Sequence, residues 1–205
     1  NLPILNWFQH HYADIPKITD RDFKLMGYFQ SYKYFHHNYN KIEEILNFKK
    51  LKEILKNKYD YDNIVSLHFR IGDYVKLQDY HYLLLIDYYI NSLDKLIKDT
   101  NKEDWTILYF YEESDKDMID KNIDILKEKY DKLNFIGIDH ELEDWEQILC
   151  MSLCRHNIIA NSTFSWWGAY FNENNNLIYY PNKWFGPKLE NNKMDDLFFD
   201  DWIKV

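Results

Sequence analysis

Ile64-Val65-Ser66-Leu67-His68-Phe69-Arg70-Ile71-Gly72-Asp73-Tyr74 is the stretch on which the fold turns. Its apolar opening, rich in β-branched residues, predicts a buried strand, and Gly72 ends the extended pattern. Arg70 therefore falls at the carboxyl end of a strand. In an open parallel sheet that is where ligands bind, in the crevice beyond the strand ends. The chain has three arginines, Arg21, Arg70 and Arg155, among 25 basic residues, so its basic surface is otherwise made of lysine. The planar fork of arginine suits paired phosphate oxygens better than the point charge of lysine. A diphosphate is one ligand for such a position, and an ion pair with Asp73 or a neighbouring carboxylate is the alternative.

Working outward, apolar segments alternate in the rhythm of a parallel α/β fold. Strands are predicted over 63–69, 105–111, 133–138, 157–160 and 177–180, with helices over 83–98, 115–130, 143–155 and 164–172 between them. Five strands and four crossovers make a Rossmann-like, doubly wound parallel sheet occupying residues 61–205. Ahead of it, residues 1–60 read as an aromatic and helical lead-in. Positions 1–40 show no clean period, whereas Ile42, Ile45, Leu46, Leu51, Ile54 and Leu55 recur at helical spacing and predict one or two amphipathic connector helices. The aromatic, acidic tail 182–205 is expected to fold over a sheet edge or against a partner domain.

Composition removes several classes of function. A net charge of −9 in 205 residues, with no basic stripe, argues against tracking a nucleic-acid backbone. The most apolar run, Tyr82 to Ile90, is interrupted by Asp87 and is too short for a membrane span, so a cytoplasmic, soluble protein is expected. Cys150 and Cys154, at helical spacing, read as buried free thiols in a reducing compartment. The pairs His10-His11 and His36-His37 read as solvated or capping residues rather than metal ligands. There is no G-x-G-x-x-G and no G-x-x-x-x-G-K-[ST].

Polar residues gather in the strand-end loops. After the first strand come Arg70, Gly72 and Asp73; after the second, Glu112, Glu113, Ser114 and Asp115; after the third, Asp139 and His140. After the fourth come Asn161, Ser162, Thr163 and Ser165, directly ahead of a helix. A hydroxyl-rich turn entering a helix can seat an anion, through free N–H groups and the positive end of the dipole, or can simply cap the helix. Arg70 and this loop should lie on one edge of the same sheet and could clamp a diphosphate from two sides. Glu113 and Asp115 fit either a metal pair or contacts to a ribose or base, and Asp115 also fits a helix N-terminus.

Taken together the motifs resemble glycosyltransferase family 11, the α-1,2-fucosyltransferases. His68-Phe69-Arg70-Ile71-Gly72-Asp73-Tyr74 is similar to its H-x-R-R-G-D-Y motif, and Cys154 to Ala169 to its second signature. Gly27-Tyr28-Phe29-Gln30-Ser31 and Tyr34-Phe35 resemble its upstream segment. The resemblance implies the donor-binding half of a GT-B enzyme. It would bind GDP-fucose through His68, Arg70, Gly72, Glu113, Ser114, Asn161, Ser162, Thr163 and Ser165 and use no metal or other cofactor. Fucose would pass with inversion to a glycan acceptor, with Arg70 stabilising the leaving diphosphate and Asp73 or Asp79 taking the acceptor's proton.

Two departures stand out. Ile71 occupies the place of a second arginine, which leaves room for another nucleotide 6-deoxysugar as donor. The family's Gly-rich opening segment is absent and the chain starts at Asn1 rather than at a methionine, so an N-terminal domain is expected to be missing. A non-catalytic nucleotide-sugar or glycan-binding module is the alternative of a different class.

Overall fold

The computed structural model describes residues 4–8, 12–17, 19–20, 22–174, 176–192 and 194–205. In chain order they form β1 (Leu5–Phe8), β2 (Phe23–Met26), α1 (Tyr39–Leu46), α2 (Phe48–Leu55), β3 (Ile64–His68) and α3 (Ile86–Thr100). There follow β4 (Thr106–Phe110), α4 (Lys116–Lys129), β5 (Asn134–Gly137), α5 (Asp144–Leu153), β6 (His156–Ile158), α6 (Thr163–Tyr170), β7 (Ile178–Tyr180) and β8 (Ile203–Lys204).

The main sheet has the order β5-β4-β3-β6-β7-β8, and every neighbouring pair is parallel. From β3 the chain winds outward to β4 and β5, then returns through α5 to start again at β6 on the other side of β3. The expected doubly wound sheet is therefore present among the described residues, with six strands rather than five. The added strand, β8, belongs to the tail, which lies along the β7 edge. The lead-in also holds two strands for which no period was legible: β1 and β2 pair parallel to each other in a separate sheet.

Strand alternation explains how the layers are filled. Val65 and Leu67 of β3 and Ile107 of β4 pack with Tyr89, Leu93 and Leu96 of α3 and Ile119, Ile123 and Leu126 of α4. The intervening Ile64, Leu108 and Phe110 join Leu55 of α2 and Leu149, Cys150 and Met151 of α5 in a second cluster. Each fully buried aliphatic side chain contributes about 1.5–3 kcal/mol, so the central strands anchor both layers. Ser66, the polar side chain at the middle of β3, is satisfied, because Asn157 Nδ2 donates to Ser66 Oγ at 2.6 Å and to the Met151 carbonyl at 2.8 Å. Both cysteines are free and buried.

The connector is two helices, separated at Asn47, whose φ of 54° is left-handed. Asparagine tolerates that conformation, and its N–H closes α1 on the carbonyls of Glu43 and Glu44. Helix α6 is apolar on nearly all sides. Trp166, Ala169 and Tyr170 are buried with Phe171, Ile178, Leu197 and Phe198, against Phe35 and Tyr39 of the lead-in. Trp166 Nε1 donates to the Leu197 carbonyl at 2.7 Å, tying helix to tail.

Gly168 permits α6 to approach α5. A Cβ there would lie 2.7 Å from Met151 Cβ and 2.8 Å from its Sδ. Gly168→Ala is expected to cost about 1–3 kcal/mol through overpacking. Urea unfolding of the variant at pH 7 measures this, and an unchanged midpoint would contradict the close packing of the two helices.

Candidate functional site

The order reversal puts the topological switch between β3 and β6, and a doubly wound sheet opens a crevice there at the carboxyl ends of its strands. A crevice of about 360 Å³ lies on this edge. Its walls are His68 at the end of β3 and Arg70 after it, Tyr111 to Glu113 after β4, His140 to Asp144 leading into α5, and Phe164 in the first turn of α6.

Arg70 is the cation of the crevice wall. Its Nη1 donates to Glu112 Oε1 and its Nη2 to Asp73 Oδ1, each at 2.8 Å, and its guanidinium lies 5.4 Å from the centroid of the Tyr74 ring. The ion pairing weighed from sequence is thus formed, with two carboxylates rather than one. The Arg70 side chain is 26% exposed, so the fork remains reachable from the crevice. Such partly exposed pairs contribute modestly, about 0–1 kcal/mol, and can be exchanged for a competing anion.

The backbone around Arg70 is held by groups that are not themselves in the crevice. Gly72 has φ +30°, and its N–H donates to Asp115 Oδ2 at 2.8 Å. One oxygen of Asp115 is therefore engaged with the arginine loop. Tyr74 lies across the switch point: its hydroxyl donates to the Asn161 carbonyl at 3.0 Å, and its ring stacks on His81 at 4.4 Å. Ile71 is buried in the main core, 7% exposed. At that position an added arginine would enter apolar packing, so Ile71→Arg is expected to lower stability by about 1–3 kcal/mol and not to tighten anion binding. Thermal unfolding of the variant is the measurement, and an unshifted midpoint would overturn the core role of this side chain.

Two imidazoles in the crevice have a buried nitrogen without a partner among the described residues, His68 Nδ1 and His140 Nε2. Buried polar atoms are nearly always paired, so such orphans mark positions that merit a functional account. Burial, reinforced by the Arg70 charge, pushes the His68 pKa down to about 3, which keeps the ring neutral. His140 meets the edge of Tyr111 at 4.7 Å. Position after the third strand was the sequence signal for His140, but the crevice-lining role of Tyr111, Glu143, Asp144 and Gln147 had none. Glu143 serves as the N-cap of α5 in a reciprocal capping box with Glu146.

The loop after β6 is less open than its hydroxyls suggested. Asn161 is 1% exposed, and its Nδ2 donates to the carbonyls of Tyr82 and Trp184 at 2.7 and 2.9 Å. Ser162 is the N-cap of α6, accepting from the Phe164 N–H, and Ser165 is buried with its hydroxyl directed at the carbonyls of Ala160 and Ser162. Thr163 is exposed but lines a different hollow. Ser114 is exposed beside the crevice without lining it, whereas Glu113 does line it. Asp79 stands apart and pairs with Lys188 at 2.9 Å. Of the residues singled out from sequence, His68, Arg70 and Glu113 thus meet in the crevice. Gly72, Asp73, Asn161, Ser162 and Ser165 shape its supports.

Among the described residues no group of three or more His, Cys, Asp or Glu side chains could hold a metal ion. His36 Nδ1 is 3.3 Å from the Tyr170 hydroxyl and His37 Nε2 is 2.8 Å from Asn38 Nδ2, while His10 and His11 lie outside the described residues. No described helix is long and apolar enough to cross a membrane.

A carboxylate-rich crevice with one arginine, two imidazoles that each have a buried, unpartnered nitrogen, and an adjoining helix N-terminus suits a ligand that is anionic at one place and rich in N–H and O–H donors at another. The chain is 33% identical over 147 residues to the O-antigen biosynthesis glycosyltransferase WbnK of Escherichia coli, covering 70% of this chain and 45% of that protein. It is 29% identical over 194 residues to an alpha-1,2-colitosyltransferase of Escherichia coli, covering 89% of this chain and 62% of that protein. The chain thus spans about half the length of these relatives. A glycosyl transferase family 9 structure from Veillonella parvula DSM 2008 aligns with a TM-score of 0.43 at 12% identity, over 77% of this chain and 40% of that one. The family model for glycosyl transferase family 11 matches residues 1–205, and the chain belongs to that family.

Proposed function

We propose that the chain is the donor-binding half of an inverting GT-B glycosyltransferase that takes fucose from GDP-fucose and makes an α-1,2 linkage to a glycan. The observation that carries this reading is Arg70, held at the carboxyl end of the central strand with the N-terminus of α6 across the switch point. The β-phosphate takes the guanidinium in exchange for Asp73 or Glu112, and the free N–H groups of α6 share its charge. Glu112 and Glu113 then accept from ribose hydroxyls or from the N–H edge of guanine. In the transfer the acceptor hydroxyl attacks the anomeric carbon opposite the diphosphate. The C–O bond to GDP breaks with its electrons, and Arg70 stabilises the growing charge.

Asp73 is the candidate base, since it lies beside Arg70 and is more than half exposed on its side chain. Asp79, paired with Lys188 outside the crevice, is the weaker of the two. A donor carrying another deoxyhexose is the second reading, supported by similarity to a protein named for colitosyl transfer and by Ile71 in place of a second arginine.

No metal enters this scheme, because the arginine and the helix terminus supply the positive field. GDP-fucose titrated with and without a chelator is expected to bind equally. Loss of binding on chelation, restored by magnesium or manganese, would contradict it. Melting-temperature shifts across a panel of nucleotide diphosphates and nucleotide sugars test the donor itself. The largest shift is expected from GDP-linked deoxyhexoses, and no shift from any GDP compound would sink the reading.

A further inference from the structure

A second hollow, of about 80 Å³, is also lined from the first turn of α6. Thr163, Trp166 and Trp167 form one wall, and the segment Tyr28 to Ser31 with Phe35 forms the other. The lining is mainly aromatic, with Leu197, with Ser31, whose hydroxyl accepts from the Lys33 N–H, and with the Gln30 amide and the Thr163 hydroxyl, neither of which has a hydrogen-bond partner among the described residues. Small-molecule sites combine apolar and aromatic walls with a few such uncommitted polar groups. The segment turns at Phe29, whose φ of 51° is left-handed. Strain of that kind at a non-glycine residue is a feature of ligand-binding positions.

The hollow and the crevice share a helix turn. Phe164 lines the crevice while its neighbour Thr163 lines the hollow, and both belong to the N-terminal turn of α6. Under the donor reading proposed above, on which this inference rests, a diphosphate at that terminus has two substituents. The nucleoside requires the larger space, which leaves the other substituent to the hollow. A water molecule occupies roughly 30 Å³, so the hollow has room for about three such groups, the edge of one pyranose and not a nucleoside.

We infer that the hollow between the Tyr28–Ser31 segment and α6 is the subsite for the donor's sugar, a 6-deoxyhexose. Its C5–C6 methyl edge rests on the aromatic wall, and Gln30 and Thr163 hydrogen-bond its ring hydroxyls. The polar partners are few, so discrimination falls on the methyl group: a hydroxyl at C6 would be buried against rings that offer it no acceptor or donor.

Calorimetric titration of GDP, GDP-fucose and GDP-L-galactose into the wild type and into Thr163→Val, Gln30→Leu and Tyr28→Ala tests this. Tyr28 is 90% exposed, so its truncation leaves the fold intact. GDP affinity is expected to stay within about twofold, while GDP-fucose affinity falls about fivefold on loss of one neutral hydrogen bond in Thr163→Val or Gln30→Leu. Tyr28→Ala, which removes the rim ring, is expected to act in the same direction. The wild type should prefer GDP-fucose to GDP-L-galactose. GDP-fucose binding unchanged in all three variants would overturn the inference, including the case where only the acceptor KM rises and the hollow belongs to the acceptor. Equal losses for GDP and GDP-fucose would overturn it too, by assigning these side chains to the phosphates. A wild type that binds none of the three would instead refute the donor reading.

Discussion

Lowering the pH from 7 to 5 is expected to remove about 4 kcal/mol of stability through two buried histidines, a large share of the 5–15 kcal/mol typical of a folded domain. His68 and His156 are each 5% exposed. Burial, with the Arg70 charge second, pushes the His68 pKa down to about 3; burial, then Arg155 and Lys102, pushes that of His156 to about 4. His156 Nδ1 also accepts from the Leu177 N–H at 3.0 Å, a bond that protonation of that nitrogen would break. An unfolded histidine titrates near 6.5, so between that value and the folded pKa the unfolded chain binds more protons than the native one. The contribution is therefore fully present above pH 6.5 and is lost as pH falls towards 4, by roughly 1.4 kcal/mol per unit for each histidine. Urea unfolding at pH 7, 6 and 5 gives the slope, and His156→Gln should roughly halve it. Equal stability at pH 7 and pH 5 would show that these rings are not held neutral by the fold.

The second large effect concerns Arg70. A hydrogen bond to a charged group contributes about 1.5–3 kcal/mol, and a fork that grips two phosphate oxygens makes two of them. Arg70→Lys keeps the charge and loses the fork, so GDP affinity is expected to fall about tenfold or more. Arg70→Ala removes both bonds and leaves Glu112 and Asp73 facing the diphosphate without their cation, with an expected loss of about a hundredfold or more. The wild-type affinity should weaken with rising salt more steeply than that of Arg70→Ala. Full GDP affinity in Arg70→Lys, with the fold intact, would leave Arg70 as a structural partner of its two carboxylates.

What sequence could and could not reveal follows from how far each signal is local. The run Ile64 to Leu67 announced β3 because a central strand is apolar on both faces, and the buried β3 bears that out. The helical periods of 83–98 and 115–130 likewise correspond to α3 and α4, with ends moved by one to three residues, α3 running on to the left-handed Asn101. Strand β8 has two residues, Ile203 and Lys204, too few to show any period, and exists because the β7 edge offers it partners. Strands β1 and β2 were invisible for a similar reason, since each is four residues long and, among the described residues, is paired only with the other.

The crevice was legible where chemistry coincides with a strand end, as at His68, Arg70 and Glu113. It was not legible where the decisive fact is a long-range hydrogen bond. Asp115 bonds the Gly72 N–H 43 residues away, and the buried Asn161 side chain bonds Tyr82 and Trp184, so neither role has a local signal. Asp79, five residues beyond Tyr74 in sequence, pairs with Lys188 and does not line the crevice, a placement set by a contact 109 residues away.

The most direct test of the account is a crystal structure with GDP bound. It should place a β-phosphate oxygen within about 3 Å of the Arg70 guanidinium, with the contact to Asp73 or Glu112 given up and the nucleoside in the crevice that His68 and Glu113 line. GDP elsewhere on the chain, or bound there with both carboxylates still on Arg70 and no phosphate contact, would contradict it.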